Sequence, residues 1–156
     1  MRLTTCLNRL SIGAAGYIGG LIDGEGTITL SRLHANERRR LVVSIANTEI
    51  QLLRFVLDEV GAGKITRKRT ESDRHTPSFC YCVSSRQALE LLRQVVSWLR
   101  SYKRLRAELA IEKYAALTPR NGKYSPQMLA SRISLENEFL AILPANSRPT
   151  GIELLT

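Results

Sequence analysis

The stretch Ser11-Ile-Gly-Ala-Ala-Gly-Tyr-Ile-Gly-Gly-Leu-Ile-Asp-Gly-Glu-Gly26 constrains this chain more than any other part of it. Ser11 suits the N-cap of a helix over about residues 12–23, which Gly24 and Gly26 would end. Gly16, Gly19 and Gly20 give that helix a surface almost free of side chains, so a second helix can approach it closely. Such contacts are best known in membranes, but their steric logic is general. The apolar run Ile12–Ile22 is itself too short to span a bilayer and contains four glycines. The three glycines are therefore read as a contact surface for another copy of the same helix.

Beyond Gly26 the periodicity changes from helical to alternating. Ile28 and Leu30 interleave with Thr27, Thr29 and Ser31, which predicts a half-buried strand over 27–33. A polar loop (34–39) leads to a second strand over about 40–46. There Leu41, Val43 and Ile45 point one way and Arg40, Val42 and Ser44 the other. Thr48 is placed to cap a helix from Glu49 to about Val60, ended by Gly61 and Gly63. A hairpin follows, with strands over 64–69 and 78–84 and a turn region from Glu71 to Pro77. Ser85 suits the cap of a helix over about 86–100, and further helices are predicted over 103–117 and 126–142, the last with Pro126 in its first turn. The expected fold is α+β: an αββαββα core with one antiparallel four-stranded sheet covered by helices, plus extra C-terminal helices. Residues 12–143 form the domain, 1–11 a flexible N-terminal segment and 144–156 a tail.

Charge narrows the partner. The 156 residues carry 23 Lys and Arg against 14 Asp and Glu, a net charge of +9, and 18 of the 23 cations are Arg. A polyanion is the natural partner, with DNA or RNA ahead of a membrane surface. One sheet face must be apolar and covered. The other carries Thr27, Thr29, Ser31, Arg38, Arg40, Ser44, Thr66 and Lys68, and suits a groove that admits β-ribbons. Three cysteines make no disulfide framework and point to a reducing compartment. Cys80 and Cys82 share one strand face with a single nearby His75, which is not a zinc pattern. Gly61-Ala-Gly-Lys64 lacks the length of a phosphate-binding loop and reads as a helix stop.

Ile18-Gly-Gly-Leu-Ile-Asp-Gly-Glu-Gly26 resembles the signature helix of the LAGLIDADG homing endonucleases, with Glu in place of the usual second Asp. The likeness extends to Ile45-Ala-Asn-Thr48, to Leu57–Ile65 and to Trp98–Ala107. It implies a saddle-like sheet that binds double-stranded DNA, and metal-dependent cleavage of both strands. One signature per chain implies half an active site, hence a homodimer on a pseudo-palindromic target. Two signature helices side by side would bring two copies of Glu25 to the axis between them. A carboxylate there can hold Mg²⁺, which takes oxygen ligands and keeps water in its shell. Mn²⁺, or Ca²⁺ in a non-cleaving complex, could replace it. The resemblance adds the Gly24 carbonyl as a ligand, Asn47 as a residue that orders water and Lys103 as the cation near the scissile phosphate.

Each assignment has a plain structural alternative. Asn before Thr is ordinary helix-start chemistry, and Lys103 stands among Arg100, Arg104 and Arg106, any of which could serve or simply face solvent. Asp23 is read as a buttress for a neighbouring loop, not as the ligand. The candidate DNA contacts are Thr29, Ser31, Arg38, Arg40, Ser44, Thr66, Lys68 and Arg69. No organic cofactor and no membrane partner are expected. The expected setting is intracellular, in a prokaryotic cytoplasm or an organelle matrix, with the gene inside an intron or similar element. The alternative is a non-cutting relative, either an RNA-splicing maturase or a DNA-binding regulator.

Overall fold

The computed structural model describes residues 6–69 and 75–147. Its elements follow the order α1 (Ile12–Glu25), β1 (Gly26–Ser31), β2 (Arg40–Asn47), α2 (Ile50–Val60), β3 (Lys64–Arg67), β4 (Phe79–Ser84), α3 (Ser85–Val95), α4 (Lys103–Lys113) and α5 (Pro126–Ala141), with a 3₁₀ turn at Val96–Trp98. The four strands make one antiparallel sheet in the order β1-β2-β4-β3. This is the α+β architecture expected from the sequence, and the helices pack on one side of the sheet.

Alternation decides which side is covered. Ile28, Leu30, Leu41, Val43, Ile45, Tyr81 and Val83 are all buried, while their neighbours in sequence are half-buried or exposed. From α1 the core receives Ile18 and Ile22, spaced one turn apart and fully buried. Burial of each stabilises the fold by roughly 1.5–3 kcal/mol. Tyr81 is buried with its hydroxyl donating to the Ala62 carbonyl at 2.7 Å. Burial holds that phenol far above its ordinary range. Among the described residues no helix is long and apolar enough to cross a membrane.

Several boundaries differ from expectation, each for a local reason. Helix α1 keeps its hydrogen bonding through Gly24 and Glu25 and stops only at Gly26, whose N–H donates to Ile22 O. Thr48 does not cap α2. Glu49 is the cap residue and offers no side-chain bond, while Asn47 Oδ1 accepts from Glu49 N at 2.8 Å. Ser85 is the first residue of α3, not its cap, and lies in the left-handed region (φ 57°), which swings the chain from strand to helix with no loop. Helix α3 ends at Val95 rather than near 100, and α4 at Lys113 rather than 117. Strand β1 begins at Gly26 and ends at Ser31, and β3 ends at Arg67.

Residues 6–11, part of the segment expected to be flexible, make several hydrogen bonds to the rest of the chain. Asn8 N–H donates to Val60 O at 2.9 Å and its side chain to Asp58 O at 3.3 Å, closing the end of α2. Gln94 Oε1 accepts from Leu10 N at 2.8 Å, and Gln94 Nε2 donates to Asn8 O at 3.1 Å. Gly61 turns beneath Asn8 in the left-handed region (φ 70°), and an added Cβ would lie 2.7 Å from the Asn8 amide. The expected turn region 71–77 falls mostly outside the described residues, as do residues 1–5 and the tail from 148 onward.

Candidate functional site

The end of α1 carries the chemistry because the helix enters β1 without a connecting loop. Gly26 makes that possible: a Cβ there would stand 2.7 Å from Ile22 Cα and 3.1 Å from Ser44 O. Glu25 is thus fixed as the last helical residue, exposed, at the helix end where the macrodipole is negative. An acid is unfavourable there unless something offsets it. Asp23, two residues earlier, is fully engaged: its carboxylate accepts from Arg100 N (2.6 Å), Ser101 N (3.2 Å) and Ser101 Oγ (2.6 Å). Burial pushes this carboxyl up, but the Ser101 and Arg100 hydrogen bonds and the charge of Lys103 together bring it below the ordinary value. Asp23 therefore buttresses the approach to α4. Glu25, by contrast, accepts no hydrogen bond and forms no salt bridge among the described residues.

Lys103 completes the corner. Only 8% exposed, it donates through Nζ to Ile22 O at 2.9 Å, which also accepts from Gly26 N–H, and to Asp23 O at 2.7 Å, a carbonyl that the helix leaves open. Desolvation lowers its pKa, partly offset by Asp23 and Glu25, so both carboxylates act on this ammonium. The three neighbouring arginines point elsewhere. Arg100 Nη1 donates to Ser97 O, and Arg104 pairs with Glu108 at 2.9 Å. Arg106 is buried, donating to Ile142 O and Ile28 O at 2.9 Å each between the rings of Tyr102 and Phe139. Of the four cations, Lys103 is the one directed to the end of α1.

Asn47 ends β2 two residues beyond Ile45, the partner of Gly26, and so lies at the same end of the sheet as Glu25. Its Oδ1 is engaged by Glu49 N, the helix-start role that the sequence left open as an alternative. The Gly24 carbonyl is among the last four of α1, which have no partner within the helix.

The glycines of α1 divide in two. Gly16 and Gly19 pack on the chain's own Trp98: a Cβ on Gly19 would sit 2.8 Å from Trp98 Cβ, and one on Gly16 3.5 Å from the indole. The lack of a side chain at Gly19 thus has a cause inside the chain, whereas a Cβ at Gly16 would make only an ordinary van der Waals contact with the indole. Gly20, and with it Gly13 and Gly24, meets nothing within 4 Å. These three share one helical face with Tyr17, which is 45% exposed and stacks edge-on with Phe55 at 5.2 Å. Ile12 (79%) and Trp98 (40%) extend this apolar surface.

The sheet face away from the helices is laid out by the register. One row runs Thr27–Ser44–Cys82–Lys64 across all four strands. Beside it lie Thr29–Val42–Ser84, Ala46–Cys80–Thr66 and Ser31–Arg40. Lys68 continues the hairpin register, with its N–H donating to Ser78 O. Thr29, Ser31, Arg40, Ser44, Thr66 and Lys68 therefore share this face. Arg38 does not belong with them. It leaves the β1–β2 loop toward α5, where its guanidinium lies 4.0 Å from Glu136. Arg69 lies past the end of β3, exposed, outside the sheet.

Sequence reasoning missed a third buried cation. Arg132 is 1% exposed on α5 and reaches Leu117 O, Thr118 Oγ1, Arg39 O and Glu136, with its guanidinium 4.7 Å from the Tyr114 ring centre. Tyr114 in turn accepts from Leu41 N. A helical Arg four residues before a Glu reads as a surface pair, so nothing local announced this burial.

No family model and no curated protein matches the chain. Solved structures do. The homing endonuclease I-CvuI, solved with a DNA target in the presence of Mg, matches with a TM-score of 0.67 and 17% identity, over 86% of this chain and 85% of that one. The archaeal intron-encoded homing endonuclease I-Vdi141I, complexed with DNA, gives 0.62 and 19%, over 86% of each chain. The LAGLIDADG meganuclease I-AabMI, bound to uncleaved DNA, gives 0.59 and 21%, over 78% of this chain and 43% of that one. The chain has the LAGLIDADG fold. It spans most of the first two proteins, and within the LAGLIDADG fold the Glu25–Lys103 corner stands where the signature helix meets the sheet.

Proposed function

We propose that this chain is a site-specific DNA endonuclease that works as a homodimer and hydrolyses both strands of a long, pseudo-palindromic duplex with the help of a divalent metal ion. The observation that carries the reading is Glu25: a carboxylate at the end of a helix, with no hydrogen bond or salt bridge among the described residues, close enough to a buried ammonium to act on it. A pure binder has no use for an acid between phosphates.

The residues present fit a hard divalent cation such as Mg²⁺. Glu25 offers a carboxylate and Gly24 a carbonyl, both oxygen donors, and each chain supplies too few ligands to close a shell alone. Among the described residues no group of three or more His, Cys, Asp or Glu side chains gathers at one point. Two copies meeting along the Gly13–Tyr17–Gly20–Gly24 face would supply the rest. When bound, such an ion stabilises developing charge and favours hydroxide over water. The chain's own part is to hold Glu25 at the axis, to keep Lys103 charged and immobile where it can offset phosphate charge, and to expose the Asn47 amide for a water. The exposed sheet face, with Arg40, Lys64 and Lys68 at its margins, binds the duplex.

A library of random duplexes enriched by binding, then incubated with Mg²⁺, tests the proposal. Wild-type protein yields double-strand breaks, whereas Glu25→Gln retains the bound pool and leaves it intact. Breaks undiminished in Glu25→Gln overturn the catalytic assignment, and a bound pool that wild type leaves whole favours the non-cutting alternative. Light scattering with DNA present gives two chains per duplex; one chain per duplex refutes the shared site.

A further inference from the structure

The polar sheet face is not uniformly polar. Its cations stand at the margins, and its centre is a strip of small groups. On the two middle strands the outward positions are Val42, Ser44 and Ala46 on β2 and Ser84, Cys82 and Cys80 on β4, paired across as Val42–Ser84, Ser44–Cys82 and Ala46–Cys80. All six are half-buried, so their tips are reachable but shallow. Arg40 and Lys64 flank the strip and act electrostatically on Cys82. That influence does not prevail. Burial, with Cys80 beside it, holds the Cys82 thiol above its ordinary value, so it stays protonated and behaves as a small apolar group. Cys80 and Cys82 are free cysteines.

Resting on the DNA reading above, we infer that Val42, Ala46, Cys80 and Cys82 read thymine methyl groups in the major groove, so that each half of the preferred duplex carries a short A·T run over β2 and β4. A G·C pair shows that groove two acceptors and one donor and no methyl. Val42 and Ala46 offer neither donor nor acceptor, and the thiols only weak ones. Pressed on either pair they would strip water from base edges and return no hydrogen bond, so the methyl alone decides between the pairs. An A·T pair presents the C5 methyl, which apolar contacts accept. Ser44 and Ser84 can donate or accept by rotating, and so serve the adenine edge. Guanine contacts fall to Arg40 and Lys64, at either side of the run.

The test selects random duplexes with the full chain in the absence of divalent metal, then replaces thymine by uracil in the recovered site, removing only the methyl. The expected pool contains an A·T run in each half, and each methyl lost weakens binding about fourfold, the equivalent of one buried carbon. In Val42→Ser, which puts a hydroxyl where the apolar contact stood, the thymine-over-uracil preference falls to near one at a single position per half-site and persists at the others. A sequence-specific pool indifferent to uracil, or a preference that Val42→Ser leaves unchanged, overturns this inference while the DNA reading stands. A pool with no shared sequence overturns both.

Discussion

Lys103 and Arg132 are both buried cations that bind backbone carbonyls across long stretches of sequence, yet their surroundings differ in one respect. Arg132 is closed off: Glu136 pairs with it, Tyr114 lies under it, and each nitrogen of its guanidinium donates a hydrogen bond. Lys103 binds only the carbonyls of Ile22 and Asp23, and the carboxylate beyond, Glu25, is left open to solvent. The first corner spends its charge on holding α5 against the β1–β2 loop. The second keeps charge available at the surface. Satisfied networks of this kind rigidify a fold, whereas incompletely paired ones mark places where a ligand is accommodated.

Arg132→Met should break the comparison most severely. It leaves Glu136 with Arg38 alone at 4.0 Å and uncaps Leu117 and Arg39, and the expected loss is about 3–5 kcal/mol in chemical denaturation; a loss below 1 kcal/mol would mean the network is dispensable. Gly19→Ala comes next, at about 1–3 kcal/mol, because the methyl meets Trp98 Cβ in a packed contact. Gly20→Ala is its control. With open space at that position it should stabilise the single chain by about 0.5–1 kcal/mol and weaken self-association, seen in sedimentation.

Asp23→Asn should cost about 0.5–1.5 kcal/mol, the net worth of a hydrogen bond, since the amide keeps one acceptor oxygen where the carboxylate has two. The Asp23 carboxyl titrates below its ordinary value of 3.8 in the folded chain. Its contribution is therefore complete above the unfolded value, about 3.9, and is lost as pH falls through the folded one. The gap between wild type and Asp23→Asn should narrow as acid is added; a constant gap would deny the carboxylate its role. The smallest stability change belongs to Glu25→Gln, within about 0.5 kcal/mol, as expected for an exposed surface position. A larger loss would make Glu25 a structural residue like Glu136.

Much of this was legible in the sequence, for reasons that particular residues make plain. The alternation in Thr27–Ser31 and Arg40–Asn47 gave the covered face, because a period of two admits only one register against a core. Asp23 was readable as a buttress. Lys103 was readable only to within its run of neighbours, since a helix turns about 100° per residue and the run carries no apolar phase strong enough to set the angle. The burial of Arg106 and Arg132 was not legible at all, because their partners are main-chain carbonyls of Ile28, Ile142, Leu117 and Arg39, which every sequence possesses. The surroundings of the glycines were not legible either: Gly16 and Gly19 resemble Gly20 in type, but Trp98, some eighty residues away, packs beside the first two alone.

The absence of any loop between Glu25 and Gly26 makes the α1–β1 junction a ruler. A strand advances about 3.3 Å per residue, close to the roughly 3.4 Å between successive bases on one strand of a duplex. One residue inserted after Gly26 would slide the facing side chains by about a base step and turn them over. One inserted before it would rotate the carboxylate by about 100° around the helix axis. On the DNA reading proposed above, substitutions on the sheet therefore change what is read, but only a change of length at this junction alters where, relative to the reading, the carboxylate stands.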